Sequence, residues 1–287
     1  MDNPIARQYG FNATVRLADF SESPARHLDV LKHARTEEIY EVVLEIQMAG
    51  TWKELQKFLS RDADWKSAKT VVDFGCGPGH LIERLCSVFP EKTYAGVDRS
   101  PELLVAAAER LGSFSNCALH QQDVYDFSGG PFSYAIARAL LQHLDDHDRF
   151  LETARRVLER GGVLHVLDAL DEYWREDPPA PVMNRLRESL GSKQGQGNQR
   201  KVEERLVDSA SNHGFSVVKI EHLRTLFTTP AEVEMYVRHA FLGHVVGARL
   251  FKLPCDLKQV LFELLEWARL PNARAEWGLG RTLLRLT

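Results

Sequence analysis

The segment Val71-Val72-Asp73-Phe74-Gly75-Cys76-Gly77-Pro78-Gly79-His80 constrains the fold more than any other part of this chain. Its first residues have the apolar, β-branched and aromatic character of a buried strand, and they run into three glycines at alternate positions and then an amphipathic helix pattern. Glycine has no Cβ, tolerates positive φ and lets a ligand come into contact with the main chain. A helix beginning at about His80 aims unpaired N–H groups and a positive dipole end at whatever negative group sits there. The segment therefore predicts a strand-turn-helix unit that binds a nucleotide-like cofactor, with a carboxylate or phosphate at the helix end. A Gly-rich turn can also merely join strand to helix, but the GxGxG spacing with Asp73 at the strand end favours binding.

The flanking sequence repeats the strand-helix rhythm. Strands are expected at 70–74, 93–97, 115–120, 132–137 and 163–168. Ser100 as N-cap, Pro101 at the first helical position and Gly112 past the end bracket one helix. Asp148 to Arg160 reads as another, with Gly161-Gly162 closing it. Repeated βα units joined by short loops imply a parallel sheet with helices on both faces.

Upstream, Thr36 can cap a helix to about Met48, and Thr51 with Glu54 forms a capping box for a second helix to about Leu59. Residues 170–200 break the rhythm with Asp177-Pro178-Pro179-Ala180-Pro181 and a glycine- and glutamine-rich run over 191–199, which reads as mobile. A helix at about 201–213 and a strand at about 215–226 follow. Thr229-Pro230-Ala231-Glu232 then opens two helices reaching about Leu270, and a last strand spans about 275–286. The expected organisation is an N-terminal helical cap over 1–66 and a domain over 67–287, interrupted by a flexible insertion at 170–200 and a helical lid at 228–272.

Composition removes several partner classes. Net charge is −4 and the basic residues lie among acids, as in Arg155-Arg156 to Glu159-Arg160, without the basic stripe of a nucleic-acid binder. Cysteines 76, 86, 117 and 255 have no CxxC spacing, so neither a metal site nor a disulfide framework is expected, and Cys76 reads as a packing residue. No stretch approaches the ~18 apolar residues of a membrane span, and the N-terminus carries no apolar run. A reducing cytoplasm and no membrane partner are the expectation; a homodimer is compatible with the sequence.

Two further segments bear on which cofactor is bound. Gly96-Val97-Asp98 places a carboxylate at the sheet edge beside the first strand, where either an NAD site or another adenosine site would use it for the ribose hydroxyls. Gln122-Asp123-Val124 follows the third strand, where an acid and a neighbouring N–H can read an adenine. Taken singly, Asp98 can cap a helix and Asp123 a turn. Together, three acids at consecutive strand ends lie on the edge where open α/β sheets bind ligands.

On these motifs the sequence resembles the class I S-adenosylmethionine-dependent methyltransferases, closely over residues 70–169. Ala139-Leu140-Leu141-Gln142-His143-Leu144 is similar to the segment after their fourth strand, and Arg156-Val157-Leu158-Glu159-Arg160-Gly161-Gly162 to their turn into the fifth. The resemblance implies an α/β, doubly wound, mostly parallel seven-stranded sheet whose last strand is antiparallel. It implies that Gly75, Gly77 and Gly79 line the methionine part of the cofactor, that Asp73 holds its ammonium and that Asp98 takes the ribose diol. Asp123 and the Val124 backbone would meet the adenine, with Cys76, Arg99, Gln122 and Ala139 completing the cofactor site.

The implied activity is methyl transfer to an O or N atom of a small molecule, in specialised metabolite biosynthesis. His143, after the fourth strand, is the candidate general base or acceptor-orienting group, with the alternative of a helix-start residue beside Asp145 and Asp146. Arg138, Gln142 and His80 are weaker candidates near the reacting groups. Tyr9, Tyr236, His239, Phe241, His244 and Phe251 are apolar groups with polar tips, or apolar groups alone, that suit a small acceptor, and Arg7 could order beside the cofactor. Asp177-Pro178-Pro179-Ala180 lacks the aromatic of a base-flipping motif and reads as a loop. The rivals are a protein or RNA methyltransferase, a catalytically silent cofactor-binding regulator and an NAD oxidoreductase.

Overall fold

Local capping chemistry and short apolar runs set most element boundaries in the computed structural model, which describes residues 3–10, 17–170, 174–191, 202–250, 252–253 and 255–287. Helices α1 (Pro4–Tyr9), α2 (Leu17–Glu22), α3 (Pro24–His33), α4 (Thr36–Leu59) and α5 (Ala63–Ser67) precede the first strand. Then come β1 (Thr70–Phe74), α6 (His80–Val88), β2 (Thr93–Asp98), α7 (Pro101–Leu111), β3 (Cys117–Gln121), β4 (Phe132–Arg138), α8 (His147–Val157) and β5 (Leu158–Ala169). The chain continues through β6 (Arg175–Asp177), α9 (Pro181–Gly191), α10 (Val202–Ala210), β7 (Phe215–Phe227), α11 (Pro230–Leu250), α12 (Leu257–Ala268) and β8 (Arg274–Leu286).

The chain divides into two compact units. The sheet unit holds Trp52–Asp171, Gln194–Leu223 and Gly278–Thr287. Its strands run in the order β3-β2-β1-β4-β5-β8, with β1 to β5 parallel and β8 antiparallel to β5. The strand order reverses between β1 and β4, the point at which an open α/β sheet leaves a crevice at its carboxyl edge. Central strands carry apolar runs rather than alternation because both faces are covered: Val71, Val72 and Phe74 of β1 and Tyr134 to Ala137 of β4 are all buried. One face packs Val72, Phe74, Ala135, Phe150, Ala154 and Leu206 into a core. Leu81, Ile82, Leu104 and Ala107 of α6 and α7 are buried outside that cluster, as right-handed crossovers on either side of the switch require.

The helical unit holds Met1–Thr51, Glu172–Lys193 and Arg224–Trp277 and has its own core, in which Ile39, Val42 and Ile46 of α4 join Tyr236, Phe241 and Leu264. Within it β6 pairs with the first residues of β8, Arg175 opposite Glu276.

Four expectations need correction. The two helices expected over 36–59 are one, because Thr51 Oγ1 donates to Gln47 O at 2.8 Å instead of capping, and Gly50 makes room for the Trp277 ring, 3.3 Å from where a Cβ would stand. α8 ends at Val157 rather than Arg160, since Leu158 is taken up by pairing with Phe132 of β4, and Gly161 (φ +82°) bends the strand instead of closing the helix. The sheet has eight strands rather than seven, the addition being β6. α9 occupies part of the segment read as loop, although Pro178–Ala180 carry no helix or strand. The run Ser192–Gln199 and Phe251 lie outside the described residues.

Candidate functional site

Register brings the strand-end residues to one edge of the sheet unit. Asp73 pairs opposite Gly96 on β2 and Ile136 on β4, Asp98 opposite Gln121 on β3, and Arg138 opposite Leu167 on β5. Asp73, Asp98, Arg138 and Asp168 therefore end neighbouring strands on the same side.

The glycine turn between β1 and α6 is built by its backbone conformation. Gly75, Gly77 and Gly79 take φ values of +67°, +52° and +79°, a region that costs other residues about 1–2 kcal/mol. The N–H groups of Gly75 and Cys76 both donate to Val97 O, at 2.8 and 3.0 Å, which folds the turn onto the end of β2. Asp98 locks it there: Oδ2 accepts from Gly77 N and Oδ1 from Ser100 N, each at 2.9 Å. Cys76 is buried with Sγ near Gly77 O, and burial pushes its thiol pKa up, which suits packing rather than nucleophilic chemistry. Gly79 caps α6 with no side-chain hydrogen bond, whereas α7 and α8 are capped by Ser100 and Asp146. The first turn of α6 thus has no side-chain acceptor from its cap, an arrangement that suits an anion.

Asp73 is 3% exposed, and its pKa is pushed up to about 8 by burial first, with the Asp98 carboxylate adding to the rise and Arg138 opposing it. Asp123 lies after β3, where Oδ1 accepts from Tyr125 N at 3.0 Å and Oδ2 is 3.9 Å from the exposed Arg99 guanidinium. Gln122 N donates to Asp98 O at 3.1 Å, tying the third loop to the second, while Val124 is buried in the core. Both Asp98 and Asp123 thus also perform the turn-capping roles that their residue types allow. Each carboxylate oxygen retains a second lone pair for a ligand.

After β4 the chain turns sharply. Ala139 takes φ +51°, with its N–H on Leu167 O at 2.8 Å, and Leu141–His143 form one 3-10 turn. His143 is exposed, with Nε2 3.4 Å from Gln142 Nε2, and it precedes the α8 cap Asp146 rather than starting the helix. His80 begins α6 and is buried.

Asp168, at the end of β5, was not singled out by the sequence reading. It is 4% exposed and Oδ2 accepts from Leu141 N at 2.9 Å. Burial pushes its pKa up to about 7, against hydrogen bonds from Leu141, Gln142 and Ala169 and the charge of Arg138. The expected strand ended on this residue, and an acid at a fifth strand end on the ligand edge was the signal available.

The residues expected to meet the acceptor in the helical unit lie inside its core. Tyr9 OH bonds His27 Nδ1 at 2.8 Å, Tyr236 OH donates to Glu176, and Phe241 meets Phe20 edge-on. His239 is buried beside Trp277 with Nε2 3.1 Å from Gln47 Nε2, and burial lowers its pKa to about 3. His244 Nδ1 donates to Ala240 O at 2.7 Å. Arg7 is exposed on α1.

Known proteins resemble this arrangement. A methyltransferase domain model matches residues 72–164. Trans-aconitate 2-methyltransferase of Deinococcus radiodurans is 39% identical over 97 residues, 33% of this chain and 36% of that protein. The match to this relative therefore spans little more than a third of its length. Among solved structures, the 4+2 cyclase SpnF is 16% identical with a TM-score of 0.54 over 81% of this chain and 80% of its own. Haemonchus contortus phosphoethanolamine N-methyltransferase 2, solved with phosphomonomethylethanolamine and S-adenosylhomocysteine, is 19% identical with a TM-score of 0.51 over 80% of this chain and 52% of its own. Residues 72–164 are thus similar to a methyltransferase domain, and the fold is the class I, Rossmann-like one.

Proposed function

We propose that the chain moves the methyl group of S-adenosylmethionine to an oxygen or nitrogen atom of a small molecule. The observation that carries this reading is the double grip of Asp98 on Gly77 N and Ser100 N, which makes the glycine turn and the ribose-reading acid one preshaped cradle. The surrounding groups fit the cofactor's charges. The uncapped first turn of α6 suits its carboxylate, the buried acid Asp73 its ammonium, Asp98 its diol and Asp123 its adenine amine. A dinucleotide would instead bring a pyrophosphate to the helix end and has no ammonium to meet Asp73.

Bound S-adenosylmethionine would supply an electrophilic methyl group, so the chain's task is to orient the acceptor in line and keep water out. Positioning of that kind can contribute roughly 7–11 kcal/mol. His143, in the turn after β4, would orient the acceptor or take its proton at a ring nitrogen, a role that matters for a hydroxyl or ammonium acceptor. The name of the curated relatives makes small carboxylic acids, trans-aconitate among them, the first acceptors to assay. A net charge of −4 with scattered basic residues supports a small-molecule acceptor over RNA. The reading extends to a cytoplasmic enzyme of specialised biosynthesis, able to form a homodimer.

Calorimetry decides the cofactor. Binding of S-adenosylmethionine and S-adenosylhomocysteine without binding of NAD is expected, and no affinity for either sulfur compound would sink the proposal. Asp98→Ala should weaken S-adenosylhomocysteine by about 10- to 150-fold, the loss of charge-assisted hydrogen bonds worth roughly 1.5–3 kcal/mol. An unchanged affinity would remove the ribose assignment. Because a cyclase shares this fold, product detection by mass spectrometry, rather than binding, separates a methyltransferase from a protein that only holds the cofactor.

A further inference from the structure

We infer that Asp168 is a positioning residue for methyl transfer: from the end of β5 it holds the turn after β4, and through Leu140 that turn supports the glycine turn of the cofactor cradle. The inference rests on the function proposed above.

The chain of contacts is continuous within the sheet unit. Asp168 Oδ2 accepts from Leu141 N at 2.9 Å, and the carbonyl of the same Leu141 accepts from His147 Nε2 at 2.9 Å. Both polar groups of Leu141 are therefore held, one by β5 and one by the first residue of α8. This matters because Ala139, two residues earlier, takes a positive φ of +51° that an alanine adopts only when its surroundings impose it. Ala139 N on Leu167 O at 2.8 Å fixes the near side of the turn, and Asp168 fixes the far side.

Leu140 lies between these two anchors. Its Cδ1 stands 2.7 Å from where a Cβ on Gly75 would be, so its side chain fills the space beside that glycine. Loosening the turn releases Leu140, and with it the packing that holds Gly75 at φ +67°.

The charge of Arg138, on β4 between β1 and β5, bears on both Asp73 and Asp168. Buried acids need such partners or hydrogen bonds to be tolerated. His147 has its own role in holding Leu141, so it is the second handle on the same turn.

The test reads backbone exchange and cofactor binding, not turnover. In the unmodified protein, the Leu141 amide should be protected from hydrogen exchange. Asp168→Ala should lose that protection and weaken S-adenosylhomocysteine about tenfold, while the Val72 amide in β1 stays protected. Asp168→Asn keeps an oxygen that can accept from Leu141 N and should restore most of the Leu141 protection and binding. A fully protected Leu141 in Asp168→Ala, or an unchanged affinity once that protection is lost, overturns the inference. Should Asp168→Ala fail to fold, His147→Gln loosens the turn from the other side, and unaltered affinity in that variant overturns it equally. Absence of S-adenosylhomocysteine binding in the unmodified protein is a failure of the proposed function instead, because the Leu141 exchange result would still stand.

Discussion

At Asp73 burial sets the charge, and the sign of its effect can be worked out. The carboxyl pKa is pushed from 3.8 to about 8, mostly by desolvation, so the folded protein without cofactor prefers the neutral acid. The unfolded chain has lost this proton above about pH 4. A folded pKa above the unfolded one gives stability that is present at low pH and lost as pH rises through the folded value. Melting temperatures of the cofactor-free protein and Asp73→Asn, compared from pH 6 to 9, should therefore move in the variant's favour as pH rises. Affinity for S-adenosylhomocysteine should do the opposite. An ammonium partner favours the ionised acid, so binding by the unmodified protein should strengthen from pH 6 to 7.5, with a much flatter profile in Asp73→Asn. Matching profiles in the two proteins would remove Asp73 from ammonium binding. Asp73, Asp98 and Asp123 were legible because each sits beside turn residues whose chemistry is local. Asp168 was not singled out because Leu164-His165-Val166-Leu167-Asp168-Ala169 reads as the end of a buried strand. Only the register with β4 places the acid under the Leu141 amide.

Elements bracketed by their own caps follow the sequence closely. β1 spans 70–74 as expected, and α7 begins after Ser100, whose Oγ accepts from Leu103 N at 3.3 Å. Where distant partners intervene, local signals mislead. Ala49-Gly50-Thr51 looks like a break, yet the glycine exists for a Trp277 ring far along the chain, and α4 runs through it. Likewise the end of α8 is fixed by strand pairing and not by Gly161-Gly162. The start of α8 is local again: Asp146 Oδ1 accepts from Arg149 N at 2.9 Å. Asp146→Ala should cost roughly 0.5–2 kcal/mol in denaturant unfolding, and Asp146→Asn much less, because asparagine caps nearly as well. Equal losses in the two variants would mean that the cap hydrogen bond is not what Asp146 contributes.

For the whole molecule, two cores drawn from interleaved stretches of chain replace any simple division at residue 66. Ile5, Tyr9, Phe20, Leu31, Ile39, Val42, Val43 and Ile46 belong to the helical core, alongside residues from α9, α11 and α12. At roughly 1.5–3 kcal/mol per large apolar side chain, these eight contribute about 12–24 kcal/mol of burial, against a total stability of about 5–15 kcal/mol for a typical protein. The sheet unit would lose an anchor as well. Lys92 Nζ donates to Trp65 O at 2.8 Å and to Ala68 O at 2.7 Å, closing the carboxyl end of α5, and Trp65 packs edge-on against Tyr134 of β4. A chain starting at residue 67 is therefore expected to lose its cooperative thermal transition and to bind S-adenosylhomocysteine poorly, although residues 72–164 remain complete. Circular dichroism melting and calorimetry on that shortened chain measure both effects. A sharp transition with undiminished affinity would mean that residues 1–66 are dispensable to the fold, and that their apolar faces are buried for another reason.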